Sequence, residues 1–182
     1  MGFKFERFPV QGPLLIKPDV FGDARGYFKE TYKRSIFLQE GIDQNFVQDN
    51  FSHSIRGVLR GLHYQLGDHA QGKLVSVAQG KVWDVAVDIR KSSPTFGQWI
   101  GVELTSENHH MFWIPPGFAH GFVVVSETAI FQYKCTNEYH KTSEGGVIWN
   151  DPQIGISWPL TDVLVSDKDK ILPVLSLAEV FS

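Results

Sequence analysis

Short runs of strand-forming residues, each closed by a turn signal, follow one another along nearly the whole chain. They are YFKETY (27–32), NFVQDNF (45–51), GVLRGLHYQ (57–65), KLVSVAQG (73–80), KVWDVAVDIR (81–90), WIGVELT (99–105), MFWIP (111–115), GFVVVS (121–126) and AIFQYKCT (129–136). This spacing predicts a mainly β protein, an antiparallel sandwich or barrel. Helical patterning is confined to RSIFLQEG (34–41) and LSLAEVF (175–181). In KVWDVAVDIR, period-two geometry sets Trp83, Val85, Val87 and Ile89 on one face, suited to packing on a second sheet. Val82, Asp84, Ala86 and Asp88 form the other face, small and acidic, either the wall of a polar cavity or a surface meeting solvent.

The 182 residues fit one domain spanning 1–182, with 42% hydrophobic and 20% charged residues, a globular balance. Aromatic residues make up 13%, which suits strands and the walls of ligand pockets. A net charge of −3 with no basic run argues against nucleic acid as the main partner. Cys135 is the single cysteine, so no intrachain disulfide is possible and a reducing compartment is expected. No apolar stretch approaches a membrane span and the start lacks a signal-peptide pattern, so a cytoplasmic protein is expected.

Two segments carry the first chemical signals. In LRGLHYQ (59–65), strict alternation places Leu59, Gly61, His63 and Gln65 together, opposite Arg60, Leu62 and Tyr64. Gly61 beside His63 leaves room for a ligand near the backbone, and His63 reads as a base, a metal ligand or a hydrogen-bonded core residue. In WIPPGFAHGF (113–122), two prolines and a glycine fix a turn before His120. This layout resembles cupin barrels, but Gln65 stands where metal-binding cupins carry their second histidine, and no glutamate follows in LGDHAQGK. His63 and His120, with His69 as a conceivable third, are too few for the usual ligand set, so no metal is expected.

The resemblance narrows further. FGDARGYFKE, FVQDNFSHS, GVLRGLHYQ, GKLVSVAQG, VWDVAVDIR, WIPPGFAHGF, YKCTNEY, GGVIWNDPQIGISWP and SDKD occur in order from about Phe21 to Asp169. Together they resemble the dTDP-4-dehydrorhamnose 3,5-epimerase family, whose fold is a cupin-like jelly roll with a few short peripheral helices. The implied reaction inverts C3 and C5 of a dTDP-4-keto-6-deoxyhexose. Both carbons flank the C4 ketone, so enolate formation acidifies their protons, and no cofactor is required.

The resemblance makes His63 the base, with Asp169 bonded to its far ring nitrogen to fix the tautomer. It makes Tyr133 the acid, on one face with Phe131 and Cys135, and Lys73 the cation beside the C4 oxygen. Arg25, Glu30, Gln48, Asp49, Asn50, Arg60, His120, Glu144 and Lys168 match substrate-binding or supporting positions, Arg60 and Arg25 suiting the diphosphate. Gln48 and Asn50 share a face of their strand. Tyr139 matches the aromatic that stacks on thymine, although Glu138 stands where the family commonly carries a second tyrosine. The resemblance also implies a homodimer in which the early strand reaches the neighbouring subunit, taking Arg25 and Glu30 to that site. Other readings of the same residues are a C3-only or C5-only epimerase, a 3,4-ketoisomerase, a non-catalytic sugar-nucleotide-binding cupin and a metal-dependent cupin.

Overall fold

A computed structural model describes residues 2–182. One six-stranded sheet has the order β1 (Phe3–Arg7), β2 (Leu14–Pro18), β10 (Met111–Ile114), β7 (Lys73–Gln79), β12 (Thr128–Cys135) and β5 (Gln48–Ile55). The other has the order β13 (Glu144–Gly146), β6 (Val58–Gln65), β11 (Phe118–Val124), β8 (Lys81–Asp88) and β9 (Trp99–Thr105). A short β14 (Leu164–Val165) joins the second sheet beside β6, in its one parallel pairing. From β5 to β12 the chain repeatedly crosses between the sheets, which gives the cupin-like jelly roll expected from the resemblance. β3 (Val20–Asp23) and β4 (Gly26–Lys29) form a separate hairpin.

The alternation in β8 holds, but its two faces have other neighbours than expected. Val82 and Ala86 join Val75, Val77, Phe112, Phe122 and Phe131 in the core between the sheets. Trp83, Val85, Val87 and Ile89 instead pack outward, where Leu62, Tyr64, Val147, Ile154, Leu175 and Phe181 cover them. The chain after β13 therefore lids the second sheet. Its LSLAEVF segment does so through turns and extended backbone and forms no helix. Leu175, Ala178 and Phe181 recur every third residue, which a turn followed by extended chain satisfies as well as a helix does.

The helical expectation for 34–41 is met by α1 (Arg34–Gln39). Its Phe37 is fully buried against Leu14, Ile16, Leu74 and Trp113, closing part of the outer face of the first sheet. A second short helix, α2 (Asp167–Lys170), lies in SDKD and starts at Ser166, whose hydroxyl accepts from the Asp169 N–H. The expected strand at 27–32 shrinks to β4, while β1 and β2 arise in segments that the strand reading passed over. Among the described residues, no helix is long and apolar enough to cross a membrane.

The acidic residues of β8 do not meet solvent. Asp88, fully buried, ends the strand and gathers the loop that follows it. It accepts from Arg90 Nε at 2.8 Å and Nη2 at 2.7 Å, from Ser93 Oγ at 2.6 Å and from Thr95 Oγ1 at 2.7 Å. Burial opposes its ionisation, but the bonds from Arg90, Ser93 and Thr95 prevail and hold the carboxyl down at about 2. A carboxyl depressed on folding stabilises the fold above its unfolded pKa, and the contribution is lost as pH falls through the folded value. Asp88→Asn is expected to cost about 2 kcal/mol at neutral pH by urea unfolding, the difference from wild type closing as pH falls from about 4 to 2.

Candidate active site

The site begins with an irregularity in β6. Its pairing with β11 matches His63 to His120 but Arg60 to Phe122, so β6 carries one extra residue between those pairs. Gly61 lies in that stretch at φ 127°, and a Cβ there would come 2.6 Å from the Gly121 Cα. The extra residue reverses the alternation. Arg60 and His63, expected on opposite faces, both line one cavity of about 660 Å³ between the sheets, while Leu62 and Tyr64 pack outward.

The opposite wall follows from strand register. Tyr133 is matched with Val75 and Asn50, and Cys135 with Lys73 and Gln48, so these residues share the inner face of the first sheet. Asn50, Lys73, Tyr133, His63, Arg60, His120, Lys168 and Asp169 all line the cavity. Gln48, Tyr139 and Glu144 line an adjoining pocket of about 170 Å³, to which Asn50, His63, Lys73 and Tyr133 also contribute. Gln48 and Asn50 share their face as expected, Gln48 Nε2 donating to Asn50 Oδ1 at 3.0 Å.

His63 Nε2 lies 2.7 Å from Asp169 Oδ1. Asp169 is buried on α2, accepts from the Gly61 N–H at 3.3 Å, and has its own N–H capped by Ser166. Burial opposes ionisation of Asp169, yet the bond to His63 and the imidazole's charge hold the carboxyl below its ordinary value. An ionised carboxylate accepts the Nε2 proton and leaves the lone pair on Nδ1. His120 forms a second such pair, with Nε2 3.1 and 3.0 Å from the two oxygens of fully buried Asp84. Burial pushes the Asp84 carboxyl up and the His120 imidazole down, although each opposes the other's shift. His120 stacks on Phe131 at 6.1 Å between centroids, so its ring is fixed.

Burial raises the Tyr133 phenol, the Cys135 thiol adds to the shift and Arg60 opposes it, which keeps the hydroxyl protonated at neutral pH. Burial lowers the Lys73 amine, while Cys135, Asp84 and Glu144 draw it back up. Among the described residues, Lys73 Nζ has no hydrogen-bond partner, and it faces the cavity. Arg60 donates to Ser54 Oγ from Nε at 3.3 Å and Nη2 at 3.0 Å, which aims the guanidinium along the cavity wall. Glu144 accepts from Lys168 Nζ at 2.6 Å and from the Tyr139 hydroxyl at 2.9 Å, linking three of the anticipated binding residues.

Three anticipated residues are not brought to this cavity. Asp49 points to the outer face of the first sheet and binds Lys134 Nζ at 3.0 Å, because it alternates with Gln48 and Asn50. Arg25 lies at the exposed tip of the β3–β4 hairpin, paired with Asp23 at 2.5 Å. Glu30 follows β4, with Oε2 buried and, among the described residues, without a hydrogen-bond partner. Asp84, Ser54 and Ser166 support the site but were not anticipated. Ser166 had a legible signal as a helix-capping serine before Asp-Lys-Asp.

The family model described as dTDP-4-dehydrorhamnose 3,5-epimerase matches residues 7–176. The chain belongs to that family. A dTDP-4-dehydrorhamnose 3,5-epimerase of Salmonella typhimurium is 56% identical over 167 residues, 91% of each chain. The solved dTDP-6-deoxy-D-glucose-3,5-epimerase of Legionella pneumophila, in complex with dTDP-4-keto-L-rhamnose, superposes with a TM-score of 0.94. It is 50% identical, covering 97% of this chain and 94% of that one. A 3'-monoepimerase of Streptomyces bikiniensis in complex with dTDP-quinovose is more distant, with 30% identity, a TM-score of 0.87 and coverage of 93% and 87%. This member of the epimerase family is thus an isomerase by lineage.

Asp169→Asn tests the tautomer directly. An amide in place of the carboxylate no longer favours the proton on Nε2, so the ¹⁵N signals of His63 should change from one dominant tautomer to a mixture. Epimerase turnover should fall about 10²–10⁴-fold with the far-ultraviolet circular dichroism unchanged.

Proposed function

We propose that this epimerase inverts C3 and C5 of dTDP-4-keto-6-deoxy-D-glucose, giving dTDP-4-keto-L-rhamnose for dTDP-L-rhamnose biosynthesis. One observation carries the proposal: His63 and Tyr133 project from opposing sheets into a single cavity, with Lys73 on the same inner face as Tyr133. Inversion needs a base on one side of the sugar carbon and an acid on the other.

His63 Nδ1 takes the proton from carbon, and Asp169 steadies the imidazolium that results. The electron pair of the broken C–H bond moves into an enolate, whose C4 oxygen meets the Lys73 ammonium. Tyr133 then delivers its hydroxyl proton to the opposite face of the carbon, and exchange with water restores both groups. Because the proton leaves and returns without net oxidation, the step needs no electron carrier. Arg60 and Lys168 supply cationic groups for the diphosphate, and exposed Tyr139 offers a ring face to the base.

Identity of 56% and 50% to the two 3,5-epimerases, against 30% to the monoepimerase, supports double over single inversion. A non-catalytic binder has no use for a carboxylate held 2.7 Å from His63. Incubation of the enzyme with dTDP-4-keto-6-deoxyglucose in heavy water tests the reading. Deuterium should enter both C3 and C5, and His63→Ala should abolish it. Deuterium at one carbon alone makes the chain a monoepimerase, and none at either makes it a binder or assigns it another substrate.

We further propose a homodimer, working in the cytoplasm, in which the β3–β4 hairpin reaches the neighbouring cavity. The hairpin joins neither large sheet, and its Phe21, Tyr27 and Phe28 are each about half exposed, at 49%, 57% and 58%. β5 ends its sheet, its outer edge unpaired among the described residues, and its Phe51 and Ile55 are also exposed. This arrangement accounts for Arg25 and Glu30 lying away from their own cavity. Mixing inactive Arg25→Ala and His63→Ala chains should restore about one-quarter of wild-type activity, because half the random dimers hold one intact site. If Arg25 served its own chain's cavity, the mixture would stay inactive.

A further inference from the structure

The loop 137–143 that carries Tyr139 has little apolar anchoring. Glu138, Tyr139, His140, Lys141 and Thr142 are all exposed. Its position therefore depends on hydrogen bonds, among them Gln71 Nε2 to the Asn137 carbonyl at 2.7 Å, Asn137 Nδ2 to the Asp68 carbonyl at 2.7 Å, and two made by the side chain of Gln65. This residue ends β6 and is buried, with 4% of its surface exposed. Its Nε2 donates to the carbonyl oxygens of His69 at 3.0 Å and Glu138 at 3.2 Å, and its Oε1 accepts from the His140 N–H at 2.7 Å. One side-chain amide thus ties the 67–69 turn to both residues flanking Tyr139. The N–H of Tyr139 itself donates to Gln48 Oε1 at 2.8 Å, so consecutive backbone amides are held by two glutamines. Above this tie the rings of His69 and His140 stack at 3.9 Å between centroids, 7° from parallel.

We propose that Gln65 is a positioning residue for nucleotide recognition: through its bonds to the Glu138 carbonyl and the His140 N–H it fixes the backbone that carries the Tyr139 ring. The proposal rests on reading Tyr139 as the residue that meets the base. Gln65 bonds none of His63, Asp169, Tyr133 or Lys73, so its effect belongs to binding rather than to proton transfer. Glutamine suits the position because both amide hydrogens and the carbonyl oxygen are used at once. A glutamate would set a carboxylate against two carbonyl oxygens. A methionine would fill the space and bond nothing.

Gln65→Met and Gln65→Glu, with Tyr139→Ala as the reference, separate the outcomes when each purified enzyme is assayed for turnover and for dTDP binding by calorimetry. Both Gln65 variants are expected to raise KM and the dTDP Kd about tenfold, the scale of one lost hydrogen bond to a buried group, with kcat nearly unchanged. Hydrogen exchange in the 137–143 peptide should quicken in both. Normal dTDP binding by Gln65→Met alongside weakened binding by Tyr139→Ala overturns the positioning role and leaves the Tyr139 reading intact. Normal binding by Tyr139→Ala overturns that reading and the proposal with it. A fall in kcat with KM unmoved also overturns the proposal, since Gln65 would then support the reacting end of the cavity.

Discussion

Between Arg60 and His63, β6 carries one residue more than β11 beside it, and the contents of the cavity follow from that excess. Without it, period-two geometry would turn the guanidinium and the imidazole to opposite sides of the sheet, and only one could reach a ligand. With it, both face inward, while Leu62 and Tyr64 remain available to pack under the C-terminal chain. The close approach of Gly61 to Gly121 makes the irregularity possible, since side chains at either position would collide with the neighbouring backbone. The Gly61 N–H also donates to Asp169, so the same stretch of strand helps aim the carboxylate that orients His63.

The two sheets contribute unlike chemistry. The second sheet offers two imidazoles, each bonded to its own buried carboxyl group, so their ring positions are set before any substrate arrives. The first sheet offers a phenol that burial keeps protonated and a lysine whose amine burial lowers and which has no hydrogen-bond partner among the described residues. Burial of Phe122 and Phe131 at the boundary between core and cavity makes the surroundings apolar, which strengthens each charge interaction with the reacting carbonyl. On the roles proposed for them, His63 and Tyr133, held by separate sheets, keep their separation because the core between those sheets does not collapse.

How much of this was legible depended on sequence distance. The alternation in β8, the shared face of Gln48 and Asn50 and that of Phe131, Tyr133 and Cys135 all follow from neighbours within a strand. The partner of the Trp83 face of β8 does not, because local pattern shows that a face is apolar but not what covers it. The His63–Asp169 bond joins residues 106 apart in sequence, and only the family resemblance linked them. The face carrying Asp84 reads in the sequence as either a cavity wall or a solvent surface, and its bond to His120 is a tertiary contact that local pattern does not show. Arg60 was assigned to the wrong face because a one-residue irregularity leaves little mark beyond a glycine. Gln65 read only as a missing metal ligand, and its bonds to two loops are visible in three dimensions alone.

The central claim is that base and acid occupy opposite walls of one cavity. It is tested most directly by comparing exchange with inversion in Tyr133→Phe, following the substrate in heavy water by proton NMR. With His63 intact, the variant should still wash deuterium into the carbon His63 deprotonates, returning it to the same face, so exchange runs well ahead of inversion. Loss of exchange and inversion in equal measure would contradict the account, because Tyr133 would then be required for removing the proton and not only for returning it.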